Sequence, residues 1–286
     1  MEEGLPPALN EGEGRVNRII YGPVSSWRLG RSLGVDLVST KGKTCSFNCI
    51  YCQLGETIHP LGERREFVTL AQLAHELEAV RGIALDYATF SGVAEPTLAS
   101  NLGQAIELVR SILEVPVAIL TNSSLMPQED VRRELGQADV VVAKVDAPNE
   151  ELFHQINRPR ISYTLGEIIE AIRLFRDEYA GKLALHTMFV EANRSYAAEM
   201  AKLAEELSPD EVQLNTPLRP CAVNPLTPEE ITAIRREFSA LKGVVTVYEA
   251  LRPEVTPLNL EETLRRRPKL PSSFEREAGC HLPDYS

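Results

Sequence analysis

Three of the five cysteines of this 286-residue chain lie within eight residues of one another. They are Cys45, Cys49 and Cys52, with the spacing Cys-x3-Cys-x2-Cys. One short loop with this spacing can wrap three thiolates around one inorganic cluster, and cubane iron–sulfur clusters are held by Cys thiolates, usually four. Three cysteines with no obvious fourth nearby would leave one iron open to a ligand that is not protein. An open coordination position is typical of catalytic metal sites.

A structural zinc site and a disulfide are the alternatives for these cysteines. Zinc requires a fourth Cys or His at finger-like spacing, and His59, His75, Cys221 and Cys280 do not provide one. A disulfide is less expected, because an acidic chain with an odd number of cysteines and no recognisable signal peptide is typical of the cytosol, where thiols stay reduced. We therefore favour an iron–sulfur cluster and expect a cytoplasmic protein.

The charge balance argues against unspecific binding to nucleic acid or anionic lipid. Lys and Arg total 30 against 41 Asp and Glu, which gives a net charge of −11. The basic clusters 64–65, 132–133 and 265–267 are more typical of solvated faces than of a phosphate track. No apolar run reaches 18 residues, so we predict no membrane span and no membrane partner.

Strands and helices are predicted to alternate along the chain. Continuous apolar segments predict strands at 33–38, 86–90, 117–120, 139–145, 183–190, 211–214 and 244–248. Capping boxes predict helices that begin after Thr69, Thr164 and Thr227. Other helices are predicted from Asn101, at 130–135 and at 196–207. This alternation favours right-handed βαβ units and a parallel sheet, so we predict an α/β fold, a partial (β/α)6 TIM-like barrel.

We predict three regions. Residues 1–17 are rich in Gly, Pro and Glu and lack periodicity, which predicts a flexible arm. Residues 18–250 are predicted to form the barrel. Residues 251–286 contain five prolines and are predicted to form an irregular C-terminal tail that packs on the barrel. Within the barrel, the Gly- and Arg-bearing stretch 21–32 either lies over the mouth or caps one end.

The pattern Cys45-x3-Cys49-x-Tyr51-Cys52 resembles the signature of the radical S-adenosylmethionine (radical SAM) superfamily. The resemblance implies an enzyme with a [4Fe-4S] cluster on the three thiolates, whose fourth iron is chelated by the amino and carboxylate groups of SAM. It also implies that Tyr51 lies near the adenine and that a reductant such as flavodoxin or ferredoxin is a partner. The implied reaction is one-electron reduction of SAM to methionine and a 5′-deoxyadenosyl radical, which abstracts a hydrogen atom from a substrate.

The stretch after the second predicted strand resembles the Gly-Glu element of this superfamily, whose backbone binds the methionyl amino group of SAM. The candidates here are Gly92, Ala94, Glu95 and Pro96. Ala94 replaces the usual glycine before Glu95, and alanine suits such a backbone contact only where φ is negative. The alternative is an ordinary tight turn.

Polar residues follow the later strands, and ligands of parallel α/β folds bind at the carboxyl ends of strands. Asn122 and Ser123 follow the third strand, where they either bind a ribose or form an ordinary turn. Lys144 ends an apolar strand and requires a partner, which is either the SAM carboxylate or a structural ion pair with Asp146 and Glu95.

The fifth and sixth strands supply the remaining candidates for the cofactor site. Met188 and Asn193 are candidates for the adenine site, although core packing is the simpler role for Met188. Gln213 and Asn215 place amides at the mouth, and Arg219 could bind a substrate carboxylate or phosphate.

Motifs around residues 21–36, 45–55 and 95–98 further resemble a subgroup of uncharacterised enzymes grouped with the wyosine tRNA synthases. A tRNA substrate would imply cysteines for a second cluster ahead of Cys45, and the chain has none there, so this role is disfavoured. Cys221 and Cys280 either bind an auxiliary cluster or are free buried cysteines. A non-catalytic iron–sulfur electron carrier or sensor is a further alternative. The residues do not indicate the substrate.

Overall fold

The computed structural model describes residues 19–269, so the predicted N-terminal arm and Cys280 lie outside the described residues. The strands are β1 (Ile20–Ser26), β2 (Gly30–Val35), β3 (Thr44–Cys45), β4 (His59–Pro60), β5 (Tyr87–Phe90), β6 (Val117–Thr121), β7 (Val140–Lys144), β8 (Lys182–Met188), β9 (Glu211–Asn215) and β10 (Val244–Thr246). The helices are α1 (Leu70–Glu78), α2 (Leu102–Leu113), α3 (Glu129–Leu135), α4 (Glu150–Ile156), α5 (Leu165–Glu178), α6 (Ala197–Leu207), α7 (Pro228–Glu237) and α8 (Leu260–Arg266). Short 3-10 turns lie at Pro96–Leu98 and Arg194–Tyr196.

One sheet of eight strands organises the molecule, in the order β1-β2-β5-β6-β7-β8-β9-β10. From β2 to β10 every neighbouring pair is parallel, with at least one helix in each connection. The sheet curls into an open half-barrel, which confirms the predicted partial TIM-like barrel. Since the strands are parallel, their carboxyl ends share one edge, where the candidate residues of the later strands gather.

Strand β1 is the main departure from the prediction. It pairs antiparallel with β2 and forms a hairpin at one edge of the sheet. Its register shifts between Tyr21 and Val24, the interval that contains Gly22 and Pro23. A Gly-Pro pair reads as a turn in the sequence, yet proline is tolerated on an edge strand or at a bulge.

The helices that carry clear local signals form as predicted. The side chains of Thr69, Thr164 and Thr227 each close a capping box at the start of α1, α5 and α7. The apolar face of α2, which includes Ile106 and Val109, is buried except for the half-buried Leu113. Burial of these faces against the sheet is the main stabilising term of such a layer.

Two seven-residue helices were not predicted. Helix α4 is capped by the Asn149 side chain, which accepts a hydrogen bond from the Leu152 backbone N–H. Helix α8 lies within the region predicted to be an irregular tail, and its Asn259 cap accepts from Glu262 in the same way. Two turns of helix are too short for a 3.6-residue apolar period to stand out in the sequence.

Three aspartates tie neighbouring strands together at the amino edge of the sheet. Asp86, Asp139 and Asp210 stand immediately before β5, β7 and β9. Each accepts a hydrogen bond from a backbone N–H of the preceding strand in the sheet; the donors are Arg31, Val117 and Leu183, at 2.7, 2.7 and 2.8 Å. Each also pairs with an arginine; these are Arg31, Arg110 and Arg176.

Helix length and hydropathy bear on membrane insertion. None of the helices in residues 19–269 is both long enough and apolar enough to cross a bilayer.

Candidate functional site

The cysteine loop begins at Cys45, the last residue of β3, and contains Cys49 and Cys52. All three are half-buried and none forms a disulfide. The Cys52 N–H donates to the Cys49 carbonyl at 3.2 Å, so the second half of the loop turns back on itself. The loop is held against α4, because the Ile50 N–H donates to the Ile156 carbonyl at 3.0 Å. The helix that the sequence did not predict therefore supports the cysteine loop.

Two of the sulfurs receive hydrogen bonds from neighbouring loops. The Asn122 amide lies 3.5 Å from Cys45 Sγ, and the Asn157 amide lies 3.5 Å from Cys49 Sγ. The Lys144 ammonium lies 3.3 Å from Cys49 Sγ. Donors aimed at sulfur favour the thiolate, the form in which cysteine binds metal.

At Cys45, burial disfavours the thiolate and so opposes the effect of these donors. Burial first, and then the nearby Glu95, raises the pKa of the Cys45 thiol to about 11. An unliganded Cys45 would therefore carry its proton at neutral pH, whereas a bound metal deprotonates a coordinating thiol outright. The site thus suits a cationic group that compensates the negative charge of the thiolate.

A single metal ion and an iron–sulfur cluster require different arrangements of protein ligands. Within residues 19–269, no three His, Cys, Asp or Glu side chains converge on a point that one metal ion could occupy. A cubane cluster does not require such convergence, because its thiolates bind different irons. Three cysteines in one loop are the donor set expected of the protein for such a cluster.

Asp146, immediately beyond β7, is the centre of the polar network behind the cysteine loop. Its Oδ2 accepts hydrogen bonds from the Tyr51 hydroxyl and from the Asn157 amide, the latter at 2.6 Å. Its Oδ1 accepts from the Met188 backbone N–H at 2.9 Å. The Lys144 ammonium lies 3.1 Å from Oδ2 and 2.7 Å from the Tyr51 oxygen. Asp146 therefore fixes side chains from three segments of the chain.

Of the two structural partners considered for Lys144, the ion pair with Asp146 is present. Burial opposes the charge on Lys144, but Asp146 and then Cys49 outweigh it and raise the pKa of the ammonium above its usual value. Lys144 is thus a half-buried cation within hydrogen-bond distance of a cysteine sulfur. Burial, followed by the charge of Asp146, raises the pKa of Tyr51 well above its usual value, so Tyr51 remains a neutral donor.

Glu95 turns away from Lys144 and organises the loop after β6. Its carboxylate accepts hydrogen bonds from the Thr97 hydroxyl at 2.8 Å, the Thr121 hydroxyl at 2.7 Å and the Asn122 backbone N–H at 2.7 Å. Burial nevertheless raises the pKa of Glu95. The side chain therefore positions Asn122, one of the residues that contact cysteine sulfur.

The side chains of Asn122 and Ser123 form hydrogen bonds with other residues of the protein. The Asn122 amide donates to Ser46 Oγ at 2.9 Å, and its carbonyl oxygen accepts from the Ser124 N–H at 2.9 Å. Ser123 is fully buried, and its hydroxyl oxygen accepts from the Lys144 N–H at 2.9 Å. These contacts join the loop after β6 to the cysteine loop, and the predicted role in ribose binding stays a prediction.

A cavity of about 300 Å³ lies beside the cysteine loop. Six of the residues predicted from the sequence line it, and they are Tyr51, Cys52, Gly92, Met188, Asn215 and Arg219. Gly92 packs so closely on Asp36 that a Cβ atom added there would lie 2.2 Å from the Asp36 Cγ. The absence of a side chain at Gly92 is therefore required by the packing at the cavity wall.

Four other predicted residues lie away from the cavity wall. Ala94 forms a backbone bridge with Thr44, and Pro96 begins a buried 3-10 turn. The buried Asn193 amide donates to the Asp146 and Met188 carbonyls, both at 2.9 Å, and so fixes the backbone around the network. Gln213 is buried, and its amide donates to Glu211 at 2.7 Å.

Cys221, a candidate ligand for an auxiliary cluster, is half-buried. Its thiol donates to the Val223 carbonyl at 3.1 Å. Burial raises the pKa of Cys221, and the charge of Cys52 adds to the effect. Whether Cys221 binds a second cluster stays a prediction.

The sequence reasoning missed several residues of the site. Asn157 follows the unpredicted helix α4, and no local pattern marks it. The hairpin of β1 and β2 lines the cavity with Tyr21, Trp27 and Arg28, so this stretch lies at the mouth, one of the two positions considered for it. The Gly- and Arg-rich composition was the available signal. Arg266 of α8 also reaches the cavity, from the region expected to be irregular.

Comparison with known sequences gives a consistent family. The sequence model of the radical SAM superfamily matches residues 40–204. A UPF0026 protein of Methanocaldococcus jannaschii is 37% identical over 234 residues, which are 79% of this chain and 72% of that protein. A UPF0026 protein of Synechocystis is 40% identical over 202 residues, which are 70% of this chain and 76% of that protein.

Solved structures share the fold. A radical SAM methyltransferase from Sphaerobacter thermophilus matches with a TM-score of 0.56 and 18% identity, over 75% of this chain; the chain spans 65% of that protein, slightly less than two thirds. TYW1 with a lysine-pyruvate adduct bound matches with a TM-score of 0.55 and 15% identity, over 73% of each chain. The enzyme anSMEcpe with bound AdoMet matches with a TM-score of 0.56 and 18% identity, over 73% of this chain and 59% of that one.

The superfamily uses a [4Fe-4S] cluster and S-adenosylmethionine. The matched residues 40–204 include the cysteine loop, the Asp146 network and strands β5 to β8, whereas the β1–β2 hairpin and residues 215–219, which also line the cavity, lie outside them. Since that match covers more than half of the chain and the UPF0026 proteins match most of it, the chain belongs to the radical SAM superfamily.

Proposed function

We propose that this chain cleaves S-adenosylmethionine reductively at a [4Fe-4S] cluster held by Cys45, Cys49 and Cys52, and that the resulting 5′-deoxyadenosyl radical acts on a further substrate. The observation that carries the proposal is the position of Cys52 and Tyr51. Both lie in the cysteine loop and both line the cavity of about 300 Å³ at the carboxyl edge of the parallel sheet. A cluster in this loop would therefore face a chamber in which ligands of parallel α/β folds bind.

The bound cluster supplies one electron to the sulfonium of SAM, and the chain supplies geometry and exclusion of water. Asp146 holds Tyr51 at the cavity wall, where its ring can contact the adenine. Gly92, Met188 and Asn215 also line this cavity and are predicted contacts for SAM. These three residues lie at the carboxyl ends of three different strands, β5, β8 and β9, and face one common cavity.

The residues that donate to sulfur set the electrostatics of the loop. Lys144 and Asn157 donate to Cys49, and Asn122 donates to Cys45. Hydrogen bonds to sulfur and nearby charge are the protein's means of tuning an iron–sulfur potential. The reductant that we propose as a partner is a flavodoxin or ferredoxin, because the cleavage consumes one electron.

The experiment is anaerobic reconstitution with iron and sulfide, followed by addition of SAM and dithionite. We expect about four irons per chain and formation of 5′-deoxyadenosine and methionine. Cys52→Ala is expected to abolish 5′-deoxyadenosine, whereas Cys221→Ala should leave both iron content and product formation unchanged. An intact cluster without 5′-deoxyadenosine would instead identify an electron carrier or sensor, and loss of iron in Cys221→Ala would indicate an auxiliary cluster.

A further inference from the structure

Arginines are concentrated at the wall of the cavity beside the cysteine loop. The described residues that line it include five arginines and no Asp, Glu or Lys; the five are Arg28, Arg219, Arg252, Arg266 and Arg267. The chain as a whole carries a net charge of −11, so this concentration runs against its average composition. A cavity walled by one sign of charge raises the local concentration of ligands of the opposite sign.

The arginines reach the cavity from four separate places in the chain. Arg28 lies in the turn between β1 and β2, Arg219 follows β9, and Arg252 follows β10. Arg266 and Arg267 lie at the end of α8. Arg266 is neutralised by Asp36 and Glu262, so its role is structural. The convergence of the others arises from tertiary folding, since no local repeat places them together.

Arg28 is the arginine whose surroundings point most directly to a ligand. Its Nε is buried and has no hydrogen-bond partner within the described residues. The guanidinium lies over the Trp27 ring, 4.3 Å from its centroid, which fixes its orientation without neutralising its charge. A buried Nε–H without an acceptor is unfavourable, because the desolvation of this part of the charged group is not compensated.

The charges around Arg28 add to this cost. Burial, followed by the charges of Arg267 and Arg252, lowers the pKa of Arg28 to about 9. An anion bound beside the guanidinium would reverse both effects, because an opposite charge within hydrogen-bond distance favours the charged form. Guanidinium groups also match the geometry of carboxylate and phosphate oxygens, which they bind in a bidentate manner.

We propose that the second substrate of this enzyme is a small organic molecule with a phosphate or carboxylate group, and that Arg28 binds that group. This inference rests on the proposed function, because it assigns the substrate of the same cavity. The cavity of about 300 Å³ also has to hold SAM in the proposed function, so the space that remains beside Arg28 suits a small molecule. The Trp27 ring and Leu29, at the same wall, would contact the apolar part of the molecule.

The test measures anion binding directly. Inorganic phosphate and malonate are titrated calorimetrically into the reconstituted protein with SAM bound, for the wild type, for Arg28→Gln and for Arg173→Gln. Arg173 is the matched control, because it lies on the exposed face of α5 and pairs there with Glu170, so its substitution changes the net charge equally. Formation of 5′-deoxyadenosine by the same wild-type preparation is measured in parallel.

We expect one of the two anions to bind the wild type and Arg173→Gln with equal affinity, and to bind Arg28→Gln about tenfold or more weakly, the loss expected for one charge-assisted hydrogen-bonded group. Preference for phosphate identifies a phosphorylated substrate, and preference for malonate identifies a carboxylate.

Three results would overturn the inference. The first is failure of both anions to bind the wild type, and the second is equal binding of the anion by Arg28→Gln and Arg173→Gln. The third is an Arg28→Gln variant that loses affinity for SAM but not for the anion, which would assign Arg28 to the SAM carboxylate. Any of these with normal wild-type 5′-deoxyadenosine formation leaves the proposed function intact. Absence of 5′-deoxyadenosine from the wild type contradicts the proposed function itself.

Discussion

Arg266 Nε lies 2.8 Å from Asp36 Oδ2, although the two residues are 230 positions apart in the chain. Both side chains are almost completely buried. Asp36 follows β2 and also accepts hydrogen bonds from the Ser39 and Val93 N–H groups, so it links the start of the cysteine loop to the end of β5. The ion pair therefore fixes α8 beside the cavity and ties the C-terminal region into the barrel.

Removal of one member of this pair should destabilise the fold strongly, because the other charge remains buried without its partner. We expect Arg266→Met to lower the free energy of unfolding by about 3 kcal/mol, measured by urea denaturation. Arg235→Met breaks an exposed ion pair with Glu249 and should change it by less than about 0.5 kcal/mol. The double variant Asp36→Asn with Arg266→Met should cost less than the sum of the two single changes; strict additivity would contradict this account.

Replacement of Glu95 by the nearly isosteric glutamine should also destabilise the protein. Its two oxygens accept from hydroxyl and backbone N–H donors, whereas the amide nitrogen of glutamine would face those donors. We expect Glu95→Gln to destabilise the protein by about 2 kcal/mol and to lower 5′-deoxyadenosine formation, because Asn122 would shift from Cys45. Glu107→Gln, on the exposed face of α2, is the control for charge. A fully stable Glu95→Gln variant would show that the donors find other acceptors.

Lys144 should raise the reduction potential of the cluster that we propose on this loop. Its ammonium donates to Cys49 Sγ at 3.3 Å, and a positive charge beside sulfur favours the reduced cluster. We expect Lys144→Met to lower the potential by on the order of 50 mV, measured by an EPR-monitored redox titration. Lys182→Met, which removes an exposed lysine from the other end of the sheet, should leave the potential unchanged. An unchanged potential in Lys144→Met would exclude this role.

Because of the three aspartates at the amino edge of the sheet, we expect the stability of the fold to decrease at acidic pH. The hydrogen bond and ion pair with Arg31 lower the pKa of Asp86. At Asp139 and Asp210 burial opposes the charge, but the backbone N–H and arginine donors outweigh it and lower the pKa of each carboxyl. A lowered pKa in the folded state means that the unfolded chain binds protons more readily, so this stabilisation is present above about pH 4 and is lost as the pH falls further.

The measurement is the urea unfolding midpoint of the cluster-free protein between pH 7 and pH 3, which excludes a contribution from acid loss of iron. We expect Asp139→Asn to cost about 1 kcal/mol at pH 7 and to make the decline in stability at acidic pH shallower. Asp177→Asn, an exposed aspartate on α5, is the control and should leave the profile unchanged. Parallel profiles for Asp139→Asn and the wild type would contradict the assignment.

The features that the sequence determined by itself are those whose physical causes lie within a few residues. The spacing of Cys45, Cys49 and Cys52 is contained in one loop, and the capping boxes at Thr69, Thr164 and Thr227 each span four residues. The buried parallel strands can be predicted from continuous apolar segments, because both of their faces are covered. These local signals were sufficient to predict the barrel and the family.

The tertiary structure alone decided which side chains meet. Asp146 contacts Tyr51 across 95 positions, Asp36 contacts Arg266 across 230, and Arg28 faces arginines from the far end of the chain. The strand β1 exists because β2 offers it an edge on which Gly22 and Pro23 are tolerated, although the same pair reads as a turn in isolation. Hydrogen bonds and ion pairs act over a few ångströms in space without regard to separation in sequence, so a single chain read in order does not reveal them.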